Sequence, residues 1–475
     1  MKTGVQKSGL IVCVVGMAGW CLAQGSLTPP GAPAETMKTL EQVEPRVDVM
    51  TLAGDANSEI VITNSGSYYL SANLAVTLQQ GILIGVPGVT LDLNGFQIFR
   101  ESGSGWRGIS IASGGDRVTV RNGTIVGFLY GIQDDTYSKS CLYEKLAVSG
   151  CTVYGIFAGT ASRIVDCRVH GNPGTGISSG SGASLDGCTA SDNGGDGISV
   201  GSGSSLNGCT ADKNQGSHGI RAGNGSSLYS CSAYNNEGDG IWSGNGSSLA
   251  SCSAYANKST GIYTPGGSSL DGCTAYGNRG SYGIYAGIVS SLRGCTARDN
   301  HSSASSSYGI YAGDGSTVVE CSAYSNSNTN SPGTSLQGLG IYVGIGSTVK
   351  DCTAGYNEGD GIRIGDSCTA SGNTCYYNGY FGDGAGIYAF SHNRIIGNHV
   401  SYNDRGIEVS GFQNTLGGNT AVDNSTNNYV IAAGNSYGDI VDNTGDAGSA
   451  PAHSGNGAAG GTISANNNPW ANFSL

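Results

Sequence analysis

A short segment recurs along this chain with a period of 21 or 22 residues, and this repeat constrains the fold more than any other feature. Each copy reads Ser-Leu-x-x-Cys, then Thr or Ser, then Ala, and ends in a Gly-Ile pair. Clear copies begin at Ser184, Ser205, Ser227, Ser248 and Ser269. Repeats of this length stack into solenoids, because one unit cannot bury its apolar side chains without its neighbours.

A column of cysteines follows the same period. We assign ten cysteines to it: Cys151, Cys167, Cys188, Cys209, Cys231, Cys252, Cys273, Cys295, Cys321 and Cys352. The position is expected to continue as Asn373, Asn398, Asn419 and Asn443 and to begin upstream at Phe96 and Gly123. Counting these positions predicts about 16 coils, which at one inter-strand spacing per coil make a solenoid about 75 Å long.

The residues of each repeat alternate as strand residues do. In Leu-x-x-Cys-Thr-Ala the Leu, Cys and Ala are predicted to point inward and the Thr outward, and in Gly-Ile-x the Ile points inward. Gly, Ser, Asn and Asp between these segments suit tight corners. The sequence therefore predicts an all-β chain, a parallel β-helix over residues 60–443. Residues 24–59 are expected to form a Pro-bearing leader and cap, and residues 444–475 a loose Gly/Ala/Asn-rich tail.

The first 23 residues have the features of a secretory signal. Lys2 and Lys7 precede a short apolar run, Leu10 to Trp20, and small residues allow cleavage after Ala23. A lipoprotein signal that uses Cys21 is the alternative. No later run has the roughly 18 apolar residues that a membrane span needs. The prediction is a secreted protein, extracellular or at the cell surface.

The composition narrows the classes of partner. Glycine accounts for 82 of 475 residues and charged residues for only 12%, yet the regular spacing of apolar residues argues against disorder. The formal net charge is −12 and no cluster of Lys or Arg is present. We therefore do not expect a nucleic-acid partner. A local basic site could still bind an anion.

We expect the cysteine column to be a buried ladder of thiols. In-register residues on adjacent parallel strands have nearly parallel Cβ vectors, so the dihedral angle that a disulfide prefers is hard to reach. Cys141, Cys368 and Cys375 lie outside the predicted column, and a Cys368–Cys375 bond stays open. No further Cys or His pair with zinc-site spacing lies near these two cysteines, so no metal site is predicted.

Several segments resemble known proteins. The Asp-Gly-Ile turns and the Val89–Phe96 coil resemble the pectin-lyase-like superfamily and its right-handed parallel β-helix repeat proteins. The Ser26–Pro33 run, Met37–Leu40 and the ending Asn468–Phe473 resemble a group of secreted bacterial β-helix proteins. The resemblance implies a right-handed β-helix over about residues 60–445, without defining an activity.

The main candidate binding feature is an aromatic stripe, the outward residues that follow successive Gly-Ile pairs. Its members are Trp242, Tyr263, Tyr285, Tyr311, Tyr342, Arg363 and Tyr388. A row of exposed aromatic residues would form a flat platform for the apolar faces of sugar rings. The alternative is that Tyr and Trp simply favour strands and stack on cross-strand neighbours. A shorter row, Tyr234, Tyr255, Tyr276 and Tyr324, is expected to have no binding role.

Three insertions lengthen the repeat just before a Gly-Ile pair. They cover about His301 to Ser307, Ser325 to Leu339 and Tyr380 to Ala385. Because all three fall at one corner, we expect them to project side by side and to wall the aromatic stripe. Insertions at a solenoid corner are also tolerated without any function.

Catalytic candidates are few. Asp134 and Asp135 follow a Tyr-Gly-Ile turn that resembles the active turn of alginate epimerases, but the His of that family is missing. The pair also resembles the acid pair of polygalacturonases, and two positioned carboxylates suit glycoside hydrolysis. Asp196, Asp239 and Asp360 are interpreted as turn formers. A lyase would need Ca²⁺-binding acids, and the calcium repeat is absent, so no cofactor is predicted.

Three functional hypotheses follow. The first is a secreted protein that binds a polysaccharide or cell-surface glycan along the aromatic stripe. The second is a polysaccharide lyase, glycoside hydrolase or epimerase that uses an acid such as Asp135. The third is a structural or adhesive solenoid. The sequence does not fix the glycan or the oligomeric state.

Overall fold

The computed structural model describes residues 46–101, 106–134, 139–303, 306–328, 338–379, 383–438, 440–442, 453–454 and 471–474. These residues form a parallel β-helix of about 17 turns, close to the 16 coils predicted. A short 3₁₀ helix, Val49–Thr51, follows the first strand, and Asp48 caps it by accepting a hydrogen bond from the Met50 amide.

Each regular coil contributes one strand to each of three faces. We name these faces after the residue that each buries: the leucine face, the alanine face and the isoleucine face. Two long strands, Thr119–Val126 and Leu142–Ser149, run through both the leucine and the alanine faces. Together these two faces hold 34 strands, and the isoleucine face holds 18.

The remaining strands of the leucine face are Val47–Asp48, Gly66–Tyr69, Val89–Asp92, Arg163–Val165, Ser184–Asp186, Ser205–Asn207, Ser227–Tyr229, Ser248–Ala250, Ser269–Asp271, Ser291–Arg293, Thr317–Val319, Thr348–Lys350, Thr369–Ser371, Arg394–Ile396, Thr415–Gly417 and Ser436–Tyr437. The remaining strands of the alanine face are Leu74–Val76, Gln97–Arg100, Arg168–His170, Thr189–Ser191, Thr210–Asp212, Ser232–Tyr234, Ser253–Tyr255, Thr274–Tyr276, Thr296–Arg298, Ser322–Tyr324, Thr353–Gly355, Thr374–Tyr376, His399–Ser401, Thr420–Val422, Ile440–Asp442 and Asn472–Ser474.

The strands of the isoleucine face are Ser58–Ile62, Gln80–Ile84, Arg107–Ile111, Tyr130–Asp134, Tyr154–Ala158, Thr175–Ser179, Ile198–Val200, His218–Ala222, Asp239–Ser243, Ile262–Gly266, Tyr282–Ile288, Tyr308–Ala312, Leu339–Val343, Ile362–Ile364, Ala385–Ala389, Arg405–Val409, Asn427–Ile431 and His453–Ser454. A separate pair, His301–Ser302 and Ser327–Asn328, stands outside the three faces.

The core is a set of stacked side-chain columns. Leu228, Ala233 and Ile241 of one coil are no more than 1% exposed, and the corresponding residues of neighbouring coils lie in register with them. Each regular coil therefore buries three equivalent side chains, mostly Leu, Ala and Ile, against the next coil, which is how a repeat too small to fold alone becomes stable.

Three ladders of polar or thiol side chains occupy the three corners. The corner between the alanine and isoleucine faces holds an asparagine ladder that the sequence analysis missed: Asn172, Asn193, Asn214, Asn236, Asn257, Asn278, Asn300, Asn326, Asn357, Asn378, Asn403 and Asn424. In each step one Asn Oδ1 accepts from both the backbone amide and the side-chain amide of the preceding Asn. The ladder thereby satisfies backbone donors that a corner would otherwise leave buried and unpaired.

The predicted cysteine column lies at the corner between the leucine and alanine faces. Its nine cysteines run from Cys167 to Cys352 and are 0–1% exposed. Sulfur here takes the place of the asparagine oxygen, since the Cys295 amide donates to Cys321 Sγ at 3.4 Å and the Cys352 amide donates to Asn373 Oδ1 at 2.9 Å. Burial raises the pKa of the Cys167 thiol to about 12, so this thiol is not a nucleophile at neutral pH.

The placement of Cys151 in this column was wrong. Leu146 pairs with Gly123 and occupies the position, whereas the Cys151 amide donates to Asn172 Oδ1 at the head of the asparagine ladder. The reason is the eight-residue strand Leu142–Ser149, which passes through the corner that other coils turn. Counting from one cysteine to the next therefore assigned Cys151 to the wrong corner.

Cys141 and Cys368 belong to the third ladder, a serine column at the corner between the isoleucine and leucine faces. The Ser347 amide donates to Cys368 Sγ, and the Cys368 amide donates to Asn393 Oδ1 at 2.7 Å. Cys375 instead occupies an alanine position, in register with Ala354 and Val400. Both Cys368 and Cys375 are buried free thiols, which answers the open question of a bond between them.

Both ends of the solenoid extend beyond the expected limits of residues 60 and 443. Val47–Asp48 already pairs with Tyr68 and Tyr69. At the other end Asn419 Nδ2 donates to Asn472 Oδ1 at 3.0 Å, so Asn472 takes the ladder position that we had given to Asn443. Asn443 and residues 1–45, which include the expected signal and residues 24–45 of the expected leader and cap, lie outside the described residues.

Candidate functional site

The aromatic stripe lies on the isoleucine face as the sequence predicts. Backbone register pairs each member with the next, so the seven side chains leave the same face on seven consecutive coils. The Ile that precedes each member points inward and is fully buried, which fixes the outward direction of the stripe residue.

The rings of the stripe stack face to face along the solenoid axis. The centroids of Tyr263 and Tyr285 are 4.5 Å apart, and those of Tyr285 and Tyr311 and of Tyr311 and Tyr342 are 5.0 Å apart, with interplanar angles of 4–12°. Trp242 is parallel to Tyr263 at 6.5 Å. A regular stack of this kind is typical of in-register side chains on parallel strands.

This stacking changes the surface that the sequence analysis expected. The expected platform would present flat ring faces to sugars, but each Tyr face is covered by the next ring, and the four tyrosines from Tyr263 to Tyr342 are half-buried. The edges and hydroxyl groups form the outer surface instead. Burial and the neighbouring Tyr hydroxyls raise the pKa of Tyr311 to about 12, so its hydroxyl remains a hydrogen-bond donor at neutral pH.

A second rank of tyrosines supports the middle of the stripe. Tyr282 and Tyr308 precede the Gly-Ile pairs of adjacent coils and stack on each other with centroids 5.3 Å apart. Tyr282 packs edge-on against Tyr285 at 4.9 Å, and Tyr308 packs edge-on against Tyr311 at 5.3 Å. These contacts hold the stripe rings from the side and limit their rotation.

A cluster of charged residues continues the stripe beyond Tyr342. Arg363 is only 5% exposed, and its Nη2 lies 2.6 Å from Oδ2 of the fully buried Asp360. Asp360 Oδ1 also accepts from the Ala385 amide at 2.7 Å, and the Arg363 guanidinium lies 4.3 Å from the Tyr388 ring centroid. Burial raises the pKa of Asp360 to about 6 although Arg363 opposes this effect.

The two coils that follow add three more charged groups to this cluster, Asp383, Arg405 and Glu408. Arg405 Nη1 lies 3.1 Å from Glu408 Oε2, and Arg405 Nη2 lies 2.6 Å from Asp383 Oδ1. Glu408 is in register with Tyr388, and burial raises its pKa, opposed by Arg405. Carboxyl groups with raised pKa values next to arginines are a frequent mark of functional sites.

The interpretation of Asp360 as a turn former was therefore incomplete. The sequence analysis treated Arg363 as one more exposed member of the stripe and Asp360 as a corner residue, whereas the two form a buried ion pair. A signal was present, because an Arg in the middle of an aromatic column needs a carboxylate when it is buried.

The first two of the three insertions begin side by side. His301–Ser302 pairs with Ser327–Asn328, directly after the ladder residues Asn300 and Asn326. Glu358 of the next coil accepts a hydrogen bond from the Asn328 amide. The outer parts of the insertions, residues 304–305, 329–337 and 380–382, lie outside the described residues, so the wall beside the stripe stays a prediction.

Of the two catalytic candidates, the structure describes only Asp134. The Asp134 side chain points into the solenoid and is fully buried, and its Oδ2 accepts from the Tyr143 hydroxyl at 2.8 Å and the Gly159 amide at 2.9 Å. This gives Asp134 an interior structural role. Asp135 lies outside the described residues.

The second tyrosine row lies on the alanine face. Tyr234 and Tyr255 stack with centroids 4.6 Å apart, while Arg298 interrupts the row and lies 4.4 Å from the Tyr276 ring centroid. A further array on the neighbouring corner escaped the sequence analysis: Tyr356, Tyr377 and Tyr402 are 40–48% exposed and stack at 4.9–5.0 Å. They immediately precede ladder asparagines, a position that varies widely in the other coils and is Asp192, Lys213 or Ala256 in three of them.

Fold and register together define a parallel β-helix protein with an aromatic face. The model of a family described as "Right handed beta helix region" matches residues 55–211, 154–291, 199–331 and 282–468, and the chain belongs to this family. No curated protein matches its sequence. Among the described residues, no helix has the length and apolar character needed to cross a membrane.

Solved structures with a similar fold include three whose names describe enzymes that act on polysaccharides. The A-module of the Azotobacter vinelandii mannuronan C-5 epimerase AlgE4 is 14% identical, with 74% of this chain and 90% of that chain covered and a TM-score of 0.36. The periplasmic alginate epimerase AlgG is 12% identical over 75% and 74%, with a TM-score of 0.25. Pectate lyase Pel9A is 14% identical over 72% of each chain, with a TM-score of 0.21. These likenesses are to the fold alone.

Proposed function

We propose that this protein is a secreted β-helix protein that binds an extended polysaccharide along the aromatic stripe, at the cell surface or in the extracellular matrix. The observation that carries the proposal is the uninterrupted stack of five aromatic side chains from Trp242 to Tyr342 on one face. A linear polymer can contact one such side chain on every coil it crosses. A row of identical contacts suits a repeating ligand better than a small molecule.

The mode of contact follows from the stacking. Because the ring faces cover one another, a sugar chain would lie across the ring edges and accept or donate hydrogen bonds at the Tyr hydroxyl groups. Tyr282 and Tyr308 hold these rings in place, so little side-chain entropy is lost on binding. Tyrosine is also enriched at the binding interfaces of proteins.

The test replaces Tyr285, Tyr311 and Tyr342 together, first by alanine and then by phenylalanine. We expect both triple variants to lose at least tenfold in affinity for the glycan that the wild type retains, measured by affinity electrophoresis. The phenylalanine variant keeps the stacked rings and removes only the hydroxyl groups. Its loss of affinity would identify the hydroxyl groups as the contact.

The matched control replaces Tyr234, Tyr255 and Tyr276 of the alanine face by alanine, which removes as many outward tyrosines from the other row. This control should bind like the wild type. Circular dichroism checks that every variant is folded. Unchanged binding by a folded alanine variant of the stripe would refute the proposal.

A polysaccharide-degrading or epimerising enzyme is the second candidate. It is favoured by the carboxyl groups of Asp360 and Glu408, whose pKa values are raised beside Arg363 and Arg405 at one end of the stripe. Such an enzyme would release shortened, unsaturated or epimerised products. Product formation that is lost on replacing Glu408 by Gln would favour this candidate over binding alone.

A further inference from the structure

The aromatic stripe ends abruptly at Trp242, and a hollow begins there. The outward residues of the three preceding coils are Ser178, Ser199 and Arg221, in register with the stripe. The two serines lower the floor of the face relative to the tyrosines. The hollow has a volume of about 450 Å³ and is lined by residues that include Ser199, Ser202, Arg221, Asn224 and Trp242.

Arg221 forms the boundary between the hollow and the stripe. Its guanidinium lies 5.5 Å from the centroid of the Trp242 ring, and the Arg221 side chain is exposed. Within the part of the chain that is described, no carboxylate forms an ion pair with it at 4.0 Å or less. This contrasts with Arg363 at the other end of the stripe, whose charge is matched by Asp360.

Asp196 interacts electrostatically with Arg221 without an ion pair at 4.0 Å or less, and it is already engaged by His218. Asp196 Oδ1 accepts from the His218 backbone amide at 2.9 Å, and its Oδ2 lies 3.4 Å from His218 Nδ1. The His218 ring also packs against Trp242 with centroids 5.9 Å apart. Asp196 and His218 therefore support Trp242 from the side, while the five N–H donors of Arg221 face a hollow lined by hydroxyl and amide groups.

We propose that this hollow is a subsite for an anionic sugar residue, whose carboxylate or sulfate group binds Arg221 while its ring lies beside Trp242. A guanidinium fork pairs with a carboxylate or sulfate through two N–H donors, and serine hydroxyls and the Asn224 amide suit the ring hydroxyls. The inference rests on the proposed function, since it places one end of the bound polymer. Such a subsite would let a chain of net charge −12 bind an acidic glycan, because the attraction comes from the local charge of Arg221.

The experiment titrates the wild type and the Arg221→Ala variant with three probes: an oligouronate, a sulfated oligosaccharide and a neutral cello-oligosaccharide. We expect Arg221→Ala to lower the affinity for an anionic probe at least tenfold and to leave that for the neutral probe unchanged. The wild type should lose affinity for the anionic probe as salt is raised. The uronate and sulfate arms tell which anion is bound.

Arg298→Ala is the matched control. Arg298 also lies over an aromatic ring, that of Tyr276, but on the alanine face, and its replacement changes the net charge equally. Equal affinities of the Arg221→Ala and wild-type proteins for every anionic probe would overturn the subsite. If the Tyr285, Tyr311 and Tyr342 variants still lose binding in that case, the proposed function stands alone. If they also bind normally, both proposals fail.

Discussion

Replacing Asn257 by alanine is expected to lower the free energy of unfolding by about 3–5 kcal/mol, because several buried polar groups lose their partners at once. The Asn257 side-chain amide donates to the Ala233 carbonyl at 3.0 Å and to Asn278 Oδ1 at 2.9 Å. Its Oδ1 accepts from the backbone and side-chain amides of Asn236. No solvent reaches these groups to replace the lost bonds.

Chemical denaturation followed by circular dichroism measures this loss, and Asn245→Ala is the matched control. Asn245 is an exposed asparagine of the same coil region, so its replacement should change stability by less than about 0.5 kcal/mol. The two variants differ only in whether the asparagine belongs to the ladder. Equal stability of the two would mean that the ladder does not hold the coils together.

Replacing Asp360 by alanine is expected to destabilise the protein by about 3–5 kcal/mol, since it removes the carboxylate that forms an ion pair with the buried Arg363 guanidinium. The double variant Asp360→Ala/Arg363→Met should be more stable than Asp360→Ala, because it removes both charges and keeps most of the side-chain volume. Glu237→Ala, which breaks the exposed Lys258–Glu237 pair, is the matched control and should cost at most about 1 kcal/mol. A cost for Asp360→Ala as small as this would refute the buried ion pair.

The same carboxyl group predicts a pH dependence. Its pKa is about 6 in the folded protein, above the usual value for Asp. Between about pH 4 and pH 6 this carboxyl group is therefore more protonated in the folded than in the unfolded state, so its contribution to stability falls as pH rises through this range. The Asp360→Asn variant lacks this titration. The free energy of unfolding of this variant should therefore fall less with rising pH over the same range than that of the wild type.

The repeat alone was sufficient to predict the parallel β-helix, because its period and its inward Leu, Ala and Ile leave little choice of architecture. The same alternation placed the aromatic stripe on one face. Backbone register is a local property, so residues such as Tyr285 and Tyr311 are aligned by counting. The prediction is confirmed by their pairing in adjacent strands.

The features that could not be predicted from the sequence depend on contacts between coils. Asn193 lies between the Thr-Ala and Gly-Ile segments of its repeat, but its role appears only when its Oδ1 accepts from the amides of Asn172 in the preceding coil. The covering of the ring faces depends on the distance between coils, which no single repeat reveals. Asp360 and Arg363 are close in sequence, yet the surrounding coils bury the pair. Asn472 reaches its ladder position only after a long connection that breaks the period.

The central claim is that the protein binds a polysaccharide along the aromatic stripe without converting it. The most direct measurement incubates the wild-type chain with a panel of neutral and acidic polysaccharides, measures the retained protein by pull-down, and analyses the supernatant by mass spectrometry. The account predicts that at least one polysaccharide retains the protein and that no new oligosaccharide is formed. Absence of retention across the panel, or the release of shortened, unsaturated or epimerised products, would contradict it.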